Sequence, residues 1–133
     1  MAYWSFEGKY MNAKGKIGRR GEETVCDFLL ERGHTILERN WRCGHLEIDI
    51  ISIDKNGIHF VEVKTRVAPL QAAPEESVDL RKKNLIAKAA MRYLKLKFAE
   101  SDLEAFIDVA AVTFERGKTS LEYFENAYTP IYL

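Results

Sequence analysis

The 133-residue sequence has only two cysteines and three prolines, too few for a disulfide-rich or proline-rich protein. Its formal net charge is zero. The two cysteines, Cys26 and Cys43, form no metal-ligand pair with another cysteine, so we predict free thiols and expect no zinc. No apolar run approaches the roughly 20 residues of a membrane span, and residues 1–16 lack the apolar segment of a signal peptide. We therefore expect a cytoplasmic protein with no membrane association.

The length suits a single domain, which we predict over residues 13–133, after an N-terminal arm over residues 1–12. A net charge of zero alone argues against a nucleic-acid partner, but the charges are unevenly distributed. Residues 1–97 contain 18 basic and 13 acidic side chains, whereas residues 98–133 contain 2 and 7. A basic body with an acidic end can still offer a positive face to nucleic acid.

Hydrophobic periodicity predicts two helices and five strands. In chain order these are a helix at 13–32, strands at 34–43, 46–53 and 58–66, a helix at 80–99 opened by Ser77 or Asp79, and strands at 106–114 and 120–124. Residues 67–79 contain two prolines and no usable period, which predicts a loop. The order α-β-β-β-α-β-β predicts an α/β sandwich around a mixed sheet.

The first helix contains Gly15, Gly18 and Gly21, each of which costs about 1 kcal/mol relative to alanine. These glycines either delay the regular helix until about Gly18 or allow another element to approach closely. Basic residues surround them and would favour an anion near the helix N-terminus, namely Lys14, Lys16, Arg19 and Arg20. Glu22 follows, either as a solvated charge or as a functional group.

The centre of the chain is the predicted hairpin over residues 46–66. Its apolar strands contain Glu47, Asp49, Glu62 and Lys64. Charges inside a core hairpin cost several kcal/mol unless they are paired or bound to a metal. Their presence therefore predicts a functional site.

The turn of this hairpin decides which residues lie opposite each other. A two-residue Asn-Gly turn would place Asp49 opposite Lys64 and Ile51 opposite Glu62, whereas a four-residue turn shifts this pairing. Either turn leaves Asp49, Glu62 and Lys64 on one face, because side chains alternate along a strand. Two carboxylates so placed can hold Mg²⁺, and a lysine beside them can orient or deprotonate a water.

Two further features leave alternatives open. The second helix has a row of basic side chains that is either a solvated face or a nucleic-acid contact; it comprises Arg81, Lys82, Lys88, Arg92 and Lys95. Asp108 lies in a buried strand, where it either bonds locally at a sheet end or supports the site from behind its ligands.

Asp49, followed thirteen positions later by Glu62-Val63-Lys64, resembles the D…(D/E)-x-K signature of the PD-(D/E)xK nuclease superfamily. More narrowly, residues 15–112 resemble the YraN family of small bacterial proteins. The matching motifs are Gly21-Glu22, Asn40 with Arg42, Glu47-Ile48-Asp49, Phe60 to Arg66, Lys82, and Ala90 to Leu94. Two departures are His45-Leu46 in place of a glycine before Glu47, and the lack of an arginine before Phe106.

The resemblance implies a restriction-endonuclease-like fold, similar to that of Holliday-junction resolvases. It implies that Asp49, Glu62 and the Val63 carbonyl bind Mg²⁺, with Mn²⁺ as a substitute, and that Lys64 positions the attacking water. Glu22 would complete the acidic cluster from the first helix, and Glu47 and Asp108 would support the ligands. By analogy with the resolvases, a homodimer is a further expectation.

We thus predict a metal-dependent endonuclease or resolvase-like phosphodiester hydrolase that acts on DNA. The nucleic acid would contact Arg19, Arg20, Arg42, Arg66, Arg81, Lys82, Lys88, Arg92 and Lys95. The main alternative is a non-catalytic nucleic-acid-binding module that retains the fold. A third interpretation makes Asp49 and Lys64 merely a cross-strand ion pair.

Overall fold

The computed structural model describes residues 13–68 and 80–128. Its elements are α1 (Ala13–Glu31), β1 (Thr35–Cys43), β2 (Leu46–Asp54), β3 (Gly57–Ala68), α2 (Leu80–Lys97), β4 (Ala105–Glu115) and β5 (Lys118–Phe124). The predicted order is confirmed, although β3 extends two residues into the predicted loop. The predicted N-terminal arm, the rest of that loop and the proposed caps of α2 lie outside the described residues.

The strands form one sheet in the order β1-β2-β3-β4-β5. Neighbouring strands are antiparallel except β3 and β4, which are parallel and are connected through α2. The predicted mixed sheet is therefore confirmed. The arrangement agrees with the nuclease-like sandwich that the resemblance implies.

The helices cover opposite faces of the sheet. Val25 and Leu29 of α1 pack with Val61, whereas Ala89 and Tyr93 of α2 pack with Phe60, the preceding residue of β3. Consecutive residues of a strand point to opposite faces, so each helix covers its own face. Within the described ranges, no helix is long and apolar enough to cross a membrane.

Helix α1 is regular from Ala13, so its glycines do not delay its start. A Cβ atom at Gly21 would lie only 2.1 Å from the Thr65 Oγ1 atom of β3, while one at Gly18 would meet nothing within 4 Å. Gly21 therefore permits a close approach of α1 to the sheet, and Gly18 has no such role.

Helix α2 buries Ile86, Ala89, Ala90 and Tyr93. It ends at Lys97, two residues earlier than predicted, and the Phe98 amide still donates to the Leu94 carbonyl at 2.8 Å. Both cysteines are free thiols, as predicted.

The hairpin pairs Ile53 with Ile58 and Ile51 with Phe60. The pairing expected from a two-residue Asn56-Gly57 turn is therefore wrong. The register is the one expected from a turn over Asp54 to Gly57, but Asp54 and Gly57 also pair, so only Lys55 and Asn56 lie outside the strands. The reason lies in Asp54, whose Oδ1 accepts hydrogen bonds from the amides of Asn56 at 2.9 Å and Gly57 at 3.2 Å. These hydrogen bonds to the Asp54 carboxylate place the turn at Lys55 and Asn56, one residue before the Asn56-Gly57 pair that the sequence signal indicates.

Strands β2 and β3 separate in the middle of the hairpin. Their pairing ends at Ile50 and Val61 along the described length of both strands. Before this point Leu46 to Ile48 pair with β1, and from Glu62 onward β3 pairs with β4. We call this separation the fork; Asp49 lies on its β2 side.

Side-chain alternation also breaks at the fork. Ile48 belongs to the cluster under α2, yet Ile50 packs under α1, although regular strand residues two apart share a face. Across from Asp49, β1 contains Asn40 with a positive φ of 53°. The left-handed conformation is uncommon outside glycine, so both strands are irregular at the same level.

Candidate functional site

A pocket of about 230 Å³ opens at the fork between β2, β3 and α2. The side chains that line it include Glu47, Asp49 and Glu62 from the sheet and Lys82 and Ile86 from α2. The structure thus brings Asp49 and Glu62 together in one pocket, as predicted from the sequence.

Asp49 is held by the backbone of the opposite strand. Its Oδ2 atom accepts a hydrogen bond from the Val63 amide at 2.8 Å, just beyond the last paired residues of the hairpin. Burial, together with the negative charges of Glu22, Glu47 and Glu62, raises the pKa of Asp49 to about 7 despite this bond. Near neutral pH this carboxyl group therefore requires either a proton or a nearby cation.

Glu62 is buried, and both of its carboxylate oxygens have donors. The Lys82 Nζ atom lies 2.6 Å from Oε2, and the Tyr128 hydroxyl donates to Oε1 at 3.0 Å. Burial, together with the charge of Glu62, raises the pKa of Tyr128. Lys82, which the sequence predicted as a nucleic-acid contact, lines the acidic pocket with a side chain that is 55% exposed.

Glu22 reaches the fork from α1. Its Oε1 atom accepts a hydrogen bond from Asn40 Nδ2 at 3.2 Å, and Arg39 Nη2 lies 3.8 Å away. Burial raises the pKa of Glu22, although Asn40 and Arg39 oppose the increase. Asn40, at the irregular point of β1, thus fixes the Glu22 carboxylate of α1 through its side-chain amide. The sequence did not reveal this role of Asn40.

Lys64 lies two residues after Glu62 on β3, so strand alternation places both side chains on the same face, and Lys64 is half-buried. Glu47 is exposed and pairs with Arg42 across β1, with 3.7 Å between its Oε2 and the Arg42 Nη2 atom. This pair marks the outer rim of the pocket.

The donor set is suited to a hard cation, because Mg²⁺ prefers carboxylate and carbonyl oxygens. Asp49 and Glu62 could hold such an ion with the Val63 carbonyl, since the buried negative charge around Asp49 is only partly balanced by Lys82. Among the described residues, three candidate ligand atoms lie within 4.8 Å of one another only at His34, Asp54 and His59. An ion in the acidic pocket would therefore bind two carboxylates and complete its shell with other oxygens.

The predicted nucleic-acid contacts divide between the two faces of the molecule. On α2, the exposed side chains of Arg81, Lys82, Lys88, Arg92 and Lys95 extend from the pocket. Arg92 also reaches Cys43, with 3.7 Å between Nη1 and Sγ, and so lies near the exposed Arg42.

Two of the remaining predicted contacts are separated from this surface. Arg19 and Arg20 lie on α1, on the opposite face of the sheet, and the Arg20 guanidinium lies 4.4 Å from the ring centre of Phe114 in β4. Arg66 is exposed on β3, two residues after Lys64, so strand alternation puts it on the face of Glu62 and farther along the strand. The contacts on the pocket side of the sheet are therefore those of α2 together with Arg42 and Arg66.

Asp108 does not support the acidic pocket. Strand alternation puts it on the face of its neighbour Val61, opposite to Glu62. There it accepts hydrogen bonds from the amide of Asn126 at 2.8 Å and from the Tyr123 hydroxyl, and it contacts the Nδ1 atom of His59 at 2.7 Å. Of the two alternatives for Asp108, the structure supports local bonding and corrects the expected role at the pocket.

Sequence comparison places the chain among proteins of matching length. A family model described as "Uncharacterised protein family UPF0102" matches residues 21–112. A UPF0102 protein from Bacteroides thetaiotaomicron is 38% identical over 120 residues, which cover 90% of this chain and 98% of the relative.

Two further relatives show similar agreement. A UPF0102 protein from Clostridium botulinum is 39% identical over 114 residues, and one from Chlorobium phaeobacteroides is 37% identical over 118 residues. Each match covers 84% of this chain and 93% of the relative. The resemblance to the YraN family is thereby confirmed, and the chain belongs to the UPF0102 family.

Proposed function

We propose that this protein is a metal-dependent phosphodiester hydrolase that acts on DNA. The observation that carries the proposal is the Asp49 carboxyl group, buried beside Glu62 in a pocket, with a pKa raised to about 7. Strongly shifted carboxylates in a cleft are typical of functional sites. Lys64 on the same strand face and the basic surface of α2 supply the positive charge that a phosphodiester needs.

In this mechanism Asp49, Glu62 and the Val63 carbonyl would hold a Mg²⁺ ion, which would supply a water of lowered pKa and neutralise phosphate charge. Lys64 orients the attacking water or stabilises charge on the phosphate. Glu22, fixed by Asn40, adds a carboxylate from α1. Lys82 can exchange Glu62 for a phosphate oxygen as its acceptor, and Arg92 and Lys88 contact the flanking backbone of the nucleic acid.

The direct test is a cleavage panel of single-stranded, duplex, flapped and four-way DNA with Mg²⁺ or Mn²⁺. We expect cleavage of at least one substrate by the wild type and a loss of about 10²–10³-fold in the Asp49→Asn variant, on the scale of losing one preorganised electrostatic group. Asp27→Asn, which alters an exposed acidic residue of α1, is the matched control and should retain activity. Equal cleavage by Asp49→Asn and wild type, or no cleavage of any substrate, would exclude this function.

The second candidate is a nucleic-acid-binding module without catalysis. It is favoured by the position of Lys82, whose ammonium group lies 2.6 Å from Glu62 and already gives that carboxylate a cation. This function predicts salt-dependent DNA binding that neither Mg²⁺ nor Asp49→Asn alters, together with a flat calorimetric titration of Mg²⁺ or Mn²⁺. The homodimer implied by the resemblance stays a prediction, which sedimentation of the full chain would test.

A further inference from the structure

A second cluster of titratable side chains lies at the turn end of the hairpin. His34 precedes β1, Asp54 ends β2, and His59 lies in β3. The His59 Nε2 atom lies 2.9 Å from Asp54 Oδ1, and the His34 Nε2 atom lies 3.4 Å from Asp54 Oδ2. The two imidazole rings are 4.7 Å apart between centres.

The hydrogen bonds of this cluster leave a position that needs positive charge. His59 is fully buried, and both of its ring nitrogens face carboxylates, Asp108 at 2.7 Å and Asp54 at 2.9 Å. A neutral imidazole has only one N–H, so its other nitrogen would face Asp54 with a lone pair. Either a second proton or a metal ion at Nε2 removes this repulsion.

We propose that His34, Asp54 and His59 form a binding site for a divalent transition-metal ion of the zinc class. Two imidazole nitrogens and one carboxylate are a common ligand set for Zn²⁺, whose bonds of about 2.0–2.1 Å place tetrahedral ligands about 3.4 Å apart. His34 Nε2 lies 3.4 Å from Asp54 Oδ2, which matches this value, and His59 Nε2 lies 2.9 Å from the other carboxylate oxygen, Oδ1. One ligand atom from each of the three residues lies within 4.8 Å of the others.

The surrounding residues already fix the orientation that a metal requires. His59 Nδ1 contacts the Asp108 carboxylate, and His34 Nδ1 contacts the Ser52 hydroxyl at 2.9 Å, so each ring directs Nε2 toward Asp54. Such outer partners set the tautomer of metal-binding histidines and strengthen their basicity. Phe106 stacks on His59 with ring centres 5.0 Å apart and shields it from solvent.

The ion is able to enter because the cluster is not closed. The Asp54 side chain is 14% exposed and that of His34 is 8% exposed, whereas His59 forms the buried floor. An ion here would join residues adjacent to or within β1, β2 and β3, and through Asp108 would also contact β4. Its chemical class differs from that of the acidic pocket, since imidazole ligands select Zn²⁺ and similar ions over Mg²⁺.

The two sites are also separated in space. Asp49 and Asp54 lie five residues apart on β2, which corresponds to about 17 Å along an extended strand. A metal titration can therefore assign binding to one end of the hairpin by substitution at either residue.

The test is a titration of the full chain with Co²⁺, followed by competition with Zn²⁺. Bound Co²⁺ with tetrahedral nitrogen and oxygen ligands absorbs visible light, so the spectrum reports the ligand set. The informative variants are His34→Gln and Asp54→Asn; an asparagine retains an oxygen that can accept the Asn56 and Gly57 hydrogen bonds and so preserves the turn. His45→Gln alters an exposed histidine at the other pocket and Asp49→Asn alters the acidic site, so both serve as controls.

We expect one equivalent of Co²⁺ that Zn²⁺ displaces, and an affinity at least about tenfold to a hundredfold lower in His34→Gln and Asp54→Asn. Zn²⁺ should also raise the Tm of the wild type and of both controls, but not that of the two site variants. The proposal is overturned if the wild type binds neither ion, if His34→Gln and Asp54→Asn bind as the wild type does, or if Asp49→Asn abolishes binding.

Discussion

The two ends of the β2–β3 hairpin solve opposite electrostatic problems. At the fork, Asp49, Glu62 and Glu22 bring negative charge together, with Lys82 2.6 Å from Glu62 and Arg39 3.8 Å from Glu22. At the turn, acids and bases alternate from His34 through Asp54 and His59 to Asp108. Charges of both signs therefore alternate at the turn end, whereas at the fork the neighbouring carboxylates raise the pKa of Asp49.

The pKa values express this difference. Burial raises the pKa of Asp49 to about 7, so its neutral form is favoured. At the turn, burial opposes the charged form of His59, but hydrogen bonds to Asp108 and Asp54 outweigh it and the pKa of His59 is raised. A buried carboxylate with a raised pKa in a pocket is typical of a ligand site, whereas at the turn end either a proton or a metal ion can supply the positive charge between His59 and Asp54.

The comparison predicts that loss of a charge damages the turn end most. Asp108→Ala should lower the free energy of unfolding by about 3–5 kcal/mol, because it leaves His59, the Tyr123 hydroxyl and the Asn126 amide without their shared acceptor. Urea denaturation measures the change, with Glu122→Ala on the exposed side of β5 as control. If Asp108→Ala lowers the free energy of unfolding by less than about 1 kcal/mol, the turn end is not more sensitive to loss of a charge than the fork.

The fork depends on the close approach of α1, which brings Glu22 to Asn40. We expect Gly21→Ala to destabilise the protein by about 1–3 kcal/mol, since the new Cβ would lie 2.1 Å from Thr65 Oγ1. Gly18→Ala, which meets open space, should instead stabilise α1 by up to about 1 kcal/mol. Adding Thr65→Ala to Gly21→Ala should restore part of the lost stability, measured as the Tm in thermal denaturation. If Gly21→Ala and Gly18→Ala change the Tm equally, the close contact between α1 and Thr65 is contradicted.

Removal of the carboxylate at Asp49 should have the opposite sign from that at Asp108. The pKa rises on folding from 3.8 to about 7, so the folded state binds more protons in between and wild-type stability falls as the pH rises through this window. At pH 8 Asp49→Asn should therefore be more stable than wild type by about 2 kcal/mol, and near pH 4 the difference should vanish. Urea denaturation at both pH values measures the stability difference between Asp49→Asn and wild type, and Asp102→Asn, which alters an exposed residue, is the control. A stability difference that is the same at both pH values would refute the prediction.

Lys82 tests whether the fork already has its own cation. If its ammonium group competes with a divalent ion for Glu62, then Lys82→Gln should tighten Mn²⁺ binding about tenfold, equivalent to about 1.4 kcal/mol. Lys88→Gln changes an exposed lysine of the same helix and should leave the affinity unchanged. Calorimetry that shows weaker Mn²⁺ binding in Lys82→Gln would mean that this lysine supports the ion and does not compete with it.

The smallest expected effect concerns the surface beside the fork. The double variant Lys88→Ala/Arg92→Ala should reduce the dependence of log affinity on log salt by about 2, because each phosphate contact contributes about 0.9. Fluorescence anisotropy with labelled DNA between about 50 and 200 mM salt would measure this slope. Arg116→Ala/Lys118→Ala, at the turn between β4 and β5, is the matched control, and an equal change there would assign the effect to overall charge.

The sequence predicted the order of the elements because each helix and strand has a clear period. It did not predict the register of the hairpin, since the Asn56-Gly57 signal is local while the Asp54 carboxylate captures the turn amides from outside that pair. The irregularity at Asn40 and Asp49 was also inaccessible, because it depends on two strands that become neighbours only after folding.

The candidate site shows the same division. The motif spacing predicted that Asp49 and Glu62 share a site, and both line one pocket. Strand alternation predicted that Lys64 lies on the same face as Glu62. The contact of Lys82 with Glu62 required the packing of α2 on the sheet, so a charge stripe on the helix could not reveal it. The cluster of His34 and His59 has no motif, since its members are 25 positions apart and meet through the fold.

The fork has one more consequence, which concerns aggregation. Beyond Val61, β3 is paired with β4 on one side only along its described length, so a strand from the middle of the sheet gains an unpaired margin. Such margins invite pairing with other chains, and charged side chains are the common protection. Lys64 and Arg66 lie on this margin, so neutralising Lys64 to test catalysis would also remove a charge of the kind that discourages such pairing.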